Sequence, residues 1–295
     1  MLYFIVGFCI MKKMAKMFIP PCFLYFYRYL KSNRNFYGIM GNFSSWEDAE
    51  NYLKAHGEGD YSKPEIAEQV LKSIQAVRRG KAVFERDGVL FDKADYNYPI
   101  LATLFRTILR CRLDKDKVNV LDFGGSLGST FFQNREYLSD LMPFEWHICE
   151  QPLFVEIGKE EIPEIKFHKN IRDYVDEGYS CDILLLSGVI QYFDSPRQWL
   201  ADLLEYPFKY VIIDRAFFNT EPKYRLGIQC VPPSIYDACY PVWLLNKEGI
   251  CTQIKNAGYD LVDEWESFDK MPVKDGILSE KIVTSEGMLF ERTET

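Results

Sequence analysis

The segment Asp122-Phe123-Gly124-Gly125-Ser126-Leu127-Gly128 joins an apolar run to an expected helix start, and its glycines let backbone N–H groups point at a ligand carboxylate or phosphate. Polar residues also follow three later apolar runs: Glu150-Gln151, Ser187-Gly188 and Asp214-Arg215. An acid such as Glu150 at a strand exit accepts both hydroxyls of a ribose diol, each bond contributing about 1.5–3 kcal/mol. Asn170, after a short third strand, offers an amide to an adenine edge. Asp214 is the first candidate to take a proton from an acceptor hydroxyl, with Glu85 and Asp87 behind it. Its alternative is an ion pair with Arg215 or Arg86. The Arg215 fork suits an anionic acceptor, or equally staples a sheet edge to a loop. Tyr192, Tyr236, Tyr240 and Trp243 are rings near strand ends, suited to stacking or to the core.

These residues act together only if one architecture gathers them. Short apolar runs at 118–121, 145–149, 182–186 and 210–213 alternate with amphipathic stretches, the punctuation of repeated βαβ units. The unbroken run Ile183-Leu184-Leu185-Leu186 suits a strand covered on both faces. The expected fold is therefore α/β: a Rossmann-like, doubly wound, mostly parallel sheet over residues 113–295, with ligands held beyond the carboxyl ends of its strands.

Ahead of it, Ser44-Ser45-Trp46 and the capping box Ser62-Lys63-Pro64-Glu65 start two helices. The second carries Ile66, Val70, Ile74 and Val77 at helical spacing and stops at Arg78-Arg79-Gly80. With Ile100, Leu104 and Ile108 on a further helix, residues 36–112 are expected to form a helical lobe. Residues 217–243 contain Pro222, Pro232, Pro233 and Pro241 without periodicity and read as a lid or substrate loop. A helix over 244–257, closed by Gly258, and a terminal strand pair at 259–265 and 287–290 complete the domain.

The chain has 295 residues, of which 47% are hydrophobic and 26% charged, so a disordered or collagen-like chain is excluded. Its net charge of −8 argues against a nucleic-acid partner. The arm over 1–35 runs against that average, carrying Lys12, Lys13, Lys16, Arg28, Lys31 and Arg34 with no acid before Glu47. Its first ten residues are too short to span a bilayer, and the aromatic stretch 17–30 is broken by Pro20-Pro21. Packing on the main domain and peripheral membrane contact both stay open for it. The cysteines are irregularly spaced without a CxxC pair, which reads as reduced thiols of a cytoplasmic protein. The three histidines stand at no metal-ligand spacing, so no metal is expected, and His147 and His168 read as structural.

A dinucleotide fingerprint needs glycine where Ser126 and Ser129 stand, so GxGxxG fails here. Asp122-x-Gly124-x-x-x-Gly128 fits S-adenosylmethionine sites instead, where no diphosphate is accommodated, although Ser126 replaces a common glycine. The chain resembles a bacterial family of class I S-adenosylmethionine-dependent methyltransferases associated with surface-polysaccharide gene clusters. The resemblance rests on 120–129, Phe132-Gln133-Asn134-Arg135, Glu150-Gln151, Leu186-Ser187-Gly188-Val189-Ile190-Gln191-Tyr192, Ile213-Asp214-Arg215, 229–236, Glu85-Arg86-Asp87 and Tyr240-Pro241-Val242-Trp243. It runs from about residue 36 to the carboxyl end.

What the resemblance implies is a Rossmann-like methyltransferase fold and S-adenosylmethionine as cofactor. Asp122, Gly124, Gly125, Ser126, Gly128, Glu150, Gln151, Asn170, Ser187 and Gly188 are then the expected cofactor-binding residues. Asp214, Arg215 and Tyr192 are the expected catalytic residues, beside a small-molecule or saccharide acceptor. The competing readings are an NAD(P)- or nucleotide-sugar-binding oxidoreductase and a non-catalytic cofactor-binding partner.

Overall fold

The computed structural model describes residues 36–56, 64–86, 88–93, 96–141, 143–232, 235, 238–274 and 280–293. The basic arm, Asp87, Tyr236 and the first half of the capping box at 62–65 lie outside the described residues. Among those described, no helix is long and apolar enough to cross a membrane, and no cluster of three or more His, Cys, Asp or Glu is placed to hold a metal.

Five parallel strands form the centre: β4 (Val118–Phe123), β5 (Phe144–Cys149), β6 (Lys166–His168), β7 (Ile183–Ser187) and β8 (Tyr210–Ala216). They lie in the order β6-β5-β4-β7-β8, so the chain winds outward from β4 first to one side and then to the other. That reversal beside β4 opens the crevice in which doubly wound sheets bind ligands.

The unbroken apolar runs follow from burial on both faces. Ile183 and Leu185 enter one core with Val118 and Val120, whereas Leu184 and Leu186 enter the other with Leu121. The first core is covered by α2 (Pro64–Arg78), α3 (Tyr98–Arg112), α4 (Ser129–Leu138) and α5 (Pro152–Glu161). The second receives Tyr174 of α6 (Ile171–Asp176), Leu200 and Leu203 of α7 (Pro196–Leu204), and Ile250 and Ile254 of α8 (Lys247–Asn256).

The segment 36–112 differs from the expected helical lobe. Ile66, Val70, Ile74 and Val77 of α2 share the core of the sheet itself, and residues 38–43 form a strand, β1 (Gly38–Phe43). A small hairpin, β2 (Phe84–Arg86) with β3 (Val89–Phe91), separates α2 from α3. The helix α1 (Trp46–His56) packs Ala49 and Leu53 on Leu226 and Ile228.

Beyond β8 the sheet grows to ten strands. The terminal pair β11 (Tyr259–Lys274) and β12 (Glu280–Arg292) is longer than its sequence pattern suggests, and β12 lies antiparallel between β8 and β11. The far end of β11 receives β1, followed by β9 (Arg225–Cys230) and β10 (Cys239–Leu244). The expected lid at 217–243 thus contains an antiparallel strand pair, β9 with β10. Pro241 hid it, and its place on β10, the sheet's edge strand, explains why proline is tolerated there.

Cys230 and Cys239 stand opposite each other in this hairpin and form a disulfide, which corrects the expectation of uniformly reduced thiols. Cys111, Cys149, Cys181 and Cys251 are free. His147 and His168, distant in sequence, meet on adjacent strands with Nδ1 of one 3.0 Å from Nε2 of the other. Burial is the main force that lowers both imidazoles, His147 to about 3, which favours the neutral form of each.

Candidate active site

A cavity of about 960 Å³ opens beyond the carboxyl ends of the central strands. Asp122, Gly124, Gly125 and Ser126 from the β4 exit line it, as do Glu150 and Gln151 from β5, Ser187 and Gly188 from β7, and Arg215 from β8. Tyr192, in the turn after β7, joins them. These residues, separate in sequence, face one space.

Gly125 is required by close approach, since a Cβ there would lie 2.5 Å from the Asp122 carboxylate. Gly128, the N-cap of α4, holds φ 97°, where a Cβ would also meet Ile165 at 2.4 Å. Gly128 thus shapes the turn without lining the cavity. Ser126 adopts φ 54°, a left-handed conformation uncommon outside glycine and a form of strain that collects at functional sites. Its N–H donates to Glu150 Oε1 at 3.3 Å, and the Gln151 N–H donates to Oε2 at 2.6 Å. Burial raises the Glu150 pKa against the pull of those two donors. A carboxylate has about four acceptor positions, so two such bonds leave room for ligand hydroxyls.

Three buried acceptors at the cavity wall have no hydrogen-bond partner among the described residues: Asp122 Oδ2, Ser126 Oγ and Gln191 Oε1. Burial costs each of them a bond to water, a cost that a bound donor removes. Of the three residues, Asp122 is the one that titrates. Burial pushes its carboxyl from 3.8 to about 7, against the nearby Trp146 indole and with the Glu150 charge adding.

That shift has a definite sign. Between those two pH values the folded chain keeps a proton that the unfolded chain has released, so this contribution is complete below the lower value and lost as pH rises through the upper one. Asp122→Asn, neutral at every pH, is therefore expected to melt roughly 5–10 °C above the wild type at about pH 8 and to gain nothing at about pH 4. Thermal melts at the two pH values check this.

Asp214 and Arg215 are neighbours with different destinations. Across β8 and β12 the pairs Met288↔Ile213 and Glu286↔Ala216 leave an extra β8 residue between them, and across β11 and β12 the pairs Glu266↔Glu286 and Lys270↔Thr284 leave extra residues at 267–269. Two bulges therefore meet, and bulges re-aim side chains. Asp214 turns inward and is buried. Its Oδ2 accepts from Asn97 Nδ2 at 3.1 Å, and its Oδ1 accepts from Trp265 Nε1 at 3.0 Å and Ser267 Oγ at 2.5 Å. It does not line the cavity, which removes the geometric basis expected of a base touching the acceptor.

Arg215, at φ 56°, turns outward and pairs with Asp269, while its carbonyl accepts from Gln191 Nε2 at 3.0 Å. Asn170 also lies outside the cavity lining: its side chain caps α6, accepting from the Asp173 N–H at 2.8 Å. Glu85 is a buried latch, accepting from Ser129 Oγ and from the Gly88 N–H at 2.9 Å.

Further residues complete the lining. Phe193 and Trp199 stack at 4.8 Å and with Phe123 form an aromatic wall. Tyr192 Oη donates to Gln229 Oε1 at 2.9 Å, fixing the turn after β7 to β9. Arg86 reaches Asp269 from the β2 end at 3.3 Å. Gln191 belongs to the run 186–192 that carries the resemblance. Arg86 and Gln229 stand inside runs that carry the resemblance, but nothing in the sequence points to Asp269 as the partner of Arg86, because cross-sheet partners leave no local pattern.

No protein-family model matches this sequence, and no curated protein does. Among solved structures it is similar to the N-terminal domain of EvdMO1 with SAH bound, at 13% identity over 75% of this chain and 97% of that one, TM-score 0.44. It is also similar to magnesium protoporphyrin IX methyltransferase (ChlM) from Synechocystis PCC 6803 with bound SAH, at 11% identity over 75% and 96% of the two chains, TM-score 0.43. A third is the Burkholderia thailandensis 1,6-didemethyltoxoflavin-N1-methyltransferase with bound 1,6-didemethyltoxoflavin and S-adenosylhomocysteine, at 14% identity over 80% and 93%, TM-score 0.36.

Proposed function

We propose that this chain is an S-adenosylmethionine-dependent methyltransferase of class I type acting on a small or saccharide-type acceptor, with surface-polysaccharide assembly as the setting its sequence resemblance suggests. The observation that carries the reading is the convergence of Asp122, Gly125, Ser126, Glu150, Ser187 and Gly188 on one cavity at the sheet's reversal point. The failed dinucleotide fingerprint and the acid beside the glycine-rich turn bear on which nucleotide-like cofactor fits. Asp122, the buried acid beside the glycine-rich turn, disfavours a diphosphate there and gains from a cation, whereas Glu150 suits the ribose of either cofactor class. S-adenosylmethionine carries a sulfonium, an ammonium and a ribose diol, which match an orphaned buried carboxylate oxygen and an acid at the β5 exit.

In this reading Asp122 meets the ammonium, whose charge offsets the cost of ionising a buried carboxyl. Glu150 accepts the ribose hydroxyls, and the wall of Phe123, Phe193 and Trp199 offers apolar faces to the adenosyl portion. When bound, the cofactor supplies a methyl group on a sulfonium with a neutral thioether as leaving group. The chain's own task is to place the acceptor in line and exclude water, and positioning of this kind contributes on the order of 7 kcal/mol or more in favourable cases. Tyr192 and Arg215 serve the acceptor side. Asp214 acts as a positioning residue, through the bulge that turns Arg215 outward.

Titration calorimetry on the full chain tests the proposal. S-adenosylmethionine and S-adenosylhomocysteine are expected to give saturable heat, and NAD(P) and UDP-glucose none. Folded protein with no heat from either sulfur cofactor would overturn the reading, and protection by NAD(P) alone would revive the oxidoreductase. Cofactor binding without turnover over a broad acceptor panel favours the non-catalytic partner.

A further inference from the structure

The cavity wall changes charge from one side to the other. At the β4 and β5 exits it carries Asp122 and Glu150; at the β8 and β11 side it carries Arg86, Arg215 and Lys270 with Asp269. The protein as a whole is acidic, at −8, so a positive wall is a local arrangement against the average field.

Its construction is specific. Asp269 lies in the β11 bulge and takes Arg86 on Oδ1 and Arg215 on Oδ2. Burial pushes its pKa up, but the Arg215 guanidinium, with Arg86 behind it, outweighs burial and keeps Asp269 ionised. Arg215 reaches this place only through a left-handed backbone conformation inside a strand, which costs on the order of 1–3 kcal/mol in a non-glycine residue and persists where the surroundings over-determine it. The Arg86 guanidinium lies 4.1 Å from the Phe268 ring centroid, and all three side chains stay partly accessible at 17–27%. A staple between sheet edges needs neither a strained strand residue nor an opening to the cavity.

We infer that the Arg86–Asp269–Arg215 cluster is an anion-recognition site that selects acceptors bearing a carboxylate or phosphate, such as an acidic or phosphorylated sugar. Asp269 holds one nitrogen of each guanidinium, Arg86 Nη1 and Arg215 Nε, at the cavity wall, and a guanidinium is the group that grips carboxylate and phosphate in pairs. As an acceptor site the cluster rests on the methyltransferase reading; as an anion site it does not.

The test titrates full-length protein, with and without saturating S-adenosylhomocysteine, with glucuronate, glucose 6-phosphate and glucose. At least one charged sugar is expected to bind about tenfold or more tightly than glucose, and the preferred one names the anion. Its affinity should fall as sodium chloride rises from about 0.05 to about 0.3 M while glucose is indifferent, a readout on wild-type protein that needs no variant. Arg86→Gln is expected to lose about tenfold for the charged sugar, Arg86→Lys less, and S-adenosylhomocysteine affinity should move by less than about twofold in both. Equal affinity for glucose, no binding of either anion, no salt dependence, or unaltered anion binding in a folded Arg86→Gln chain each overturns the inference. Failure of wild-type protein to bind S-adenosylhomocysteine, with anion binding intact, sinks the methyltransferase reading instead.

Discussion

Replacing Asp214 by alanine is expected to cost about 3–5 kcal/mol of stability, roughly 6–15 °C in melting temperature. Truncation leaves the donors of Asn97, Trp265 and Ser267 facing a buried space with no acceptor, and each orphaned group carries its own desolvation penalty. Trp265 cannot retreat easily, because its indole lies over Gly287, where a Cβ would come within 2.2 Å of the ring.

Burial raises the Asp214 pKa against bonds from Ser267 and Trp265, so a neutral isostere is well tolerated. Asp214→Asn should therefore lose far less, with the Asn97 amide turned to present its oxygen. The two variants separate a structural from a chemical role. A positioning residue keeps turnover in the folded Asn variant with at most a modest rise in acceptor KM, whereas a proton acceptor would lose kcat. Thermal denaturation with steady-state kinetics on both reads the difference.

Glu150→Ala is the second large effect. Two charged hydrogen bonds to a ribose diol at about 1.5–3 kcal/mol each predict a loss of at least two orders of magnitude in affinity for S-adenosylmethionine and S-adenosylhomocysteine alike, since both carry the ribose. The fold should hardly notice. Glu150 is half-buried, and the donors it leaves, the N–H groups of Ser126 and Gln151, lie at the cavity wall where water replaces the carboxylate. Calorimetry beside a thermal melt checks both halves. An unchanged affinity would mean that the adenosyl portion lies elsewhere in the cavity.

The central strands and their polar exits were legible because they are written locally. An apolar run covered on both faces, a glycine-rich turn and an acid ending a strand each occupy a few consecutive residues, and Ile183-Leu184-Leu185-Leu186 serves one core with alternate side chains and the other core with the rest. The same local logic does not place Asn170, whose short amide suits a helix cap as well as a ligand, or Asp214, whose position near a strand exit says nothing of the direction a bulge gives it.

Amino-acid order alone was enough to specify the doubly wound core and the acids and glycines at its crevice, since hydrophobic period and backbone freedom are properties of neighbouring residues. Three-dimensional pairing was needed for β1, β9 and β10, for the Cys230–Cys239 bond and for the Arg86–Asp269–Arg215 cluster. Arg86 and Asp269 are 183 positions apart, and strand register and bulges bring them together through contacts across the sheet that no short window of sequence contains.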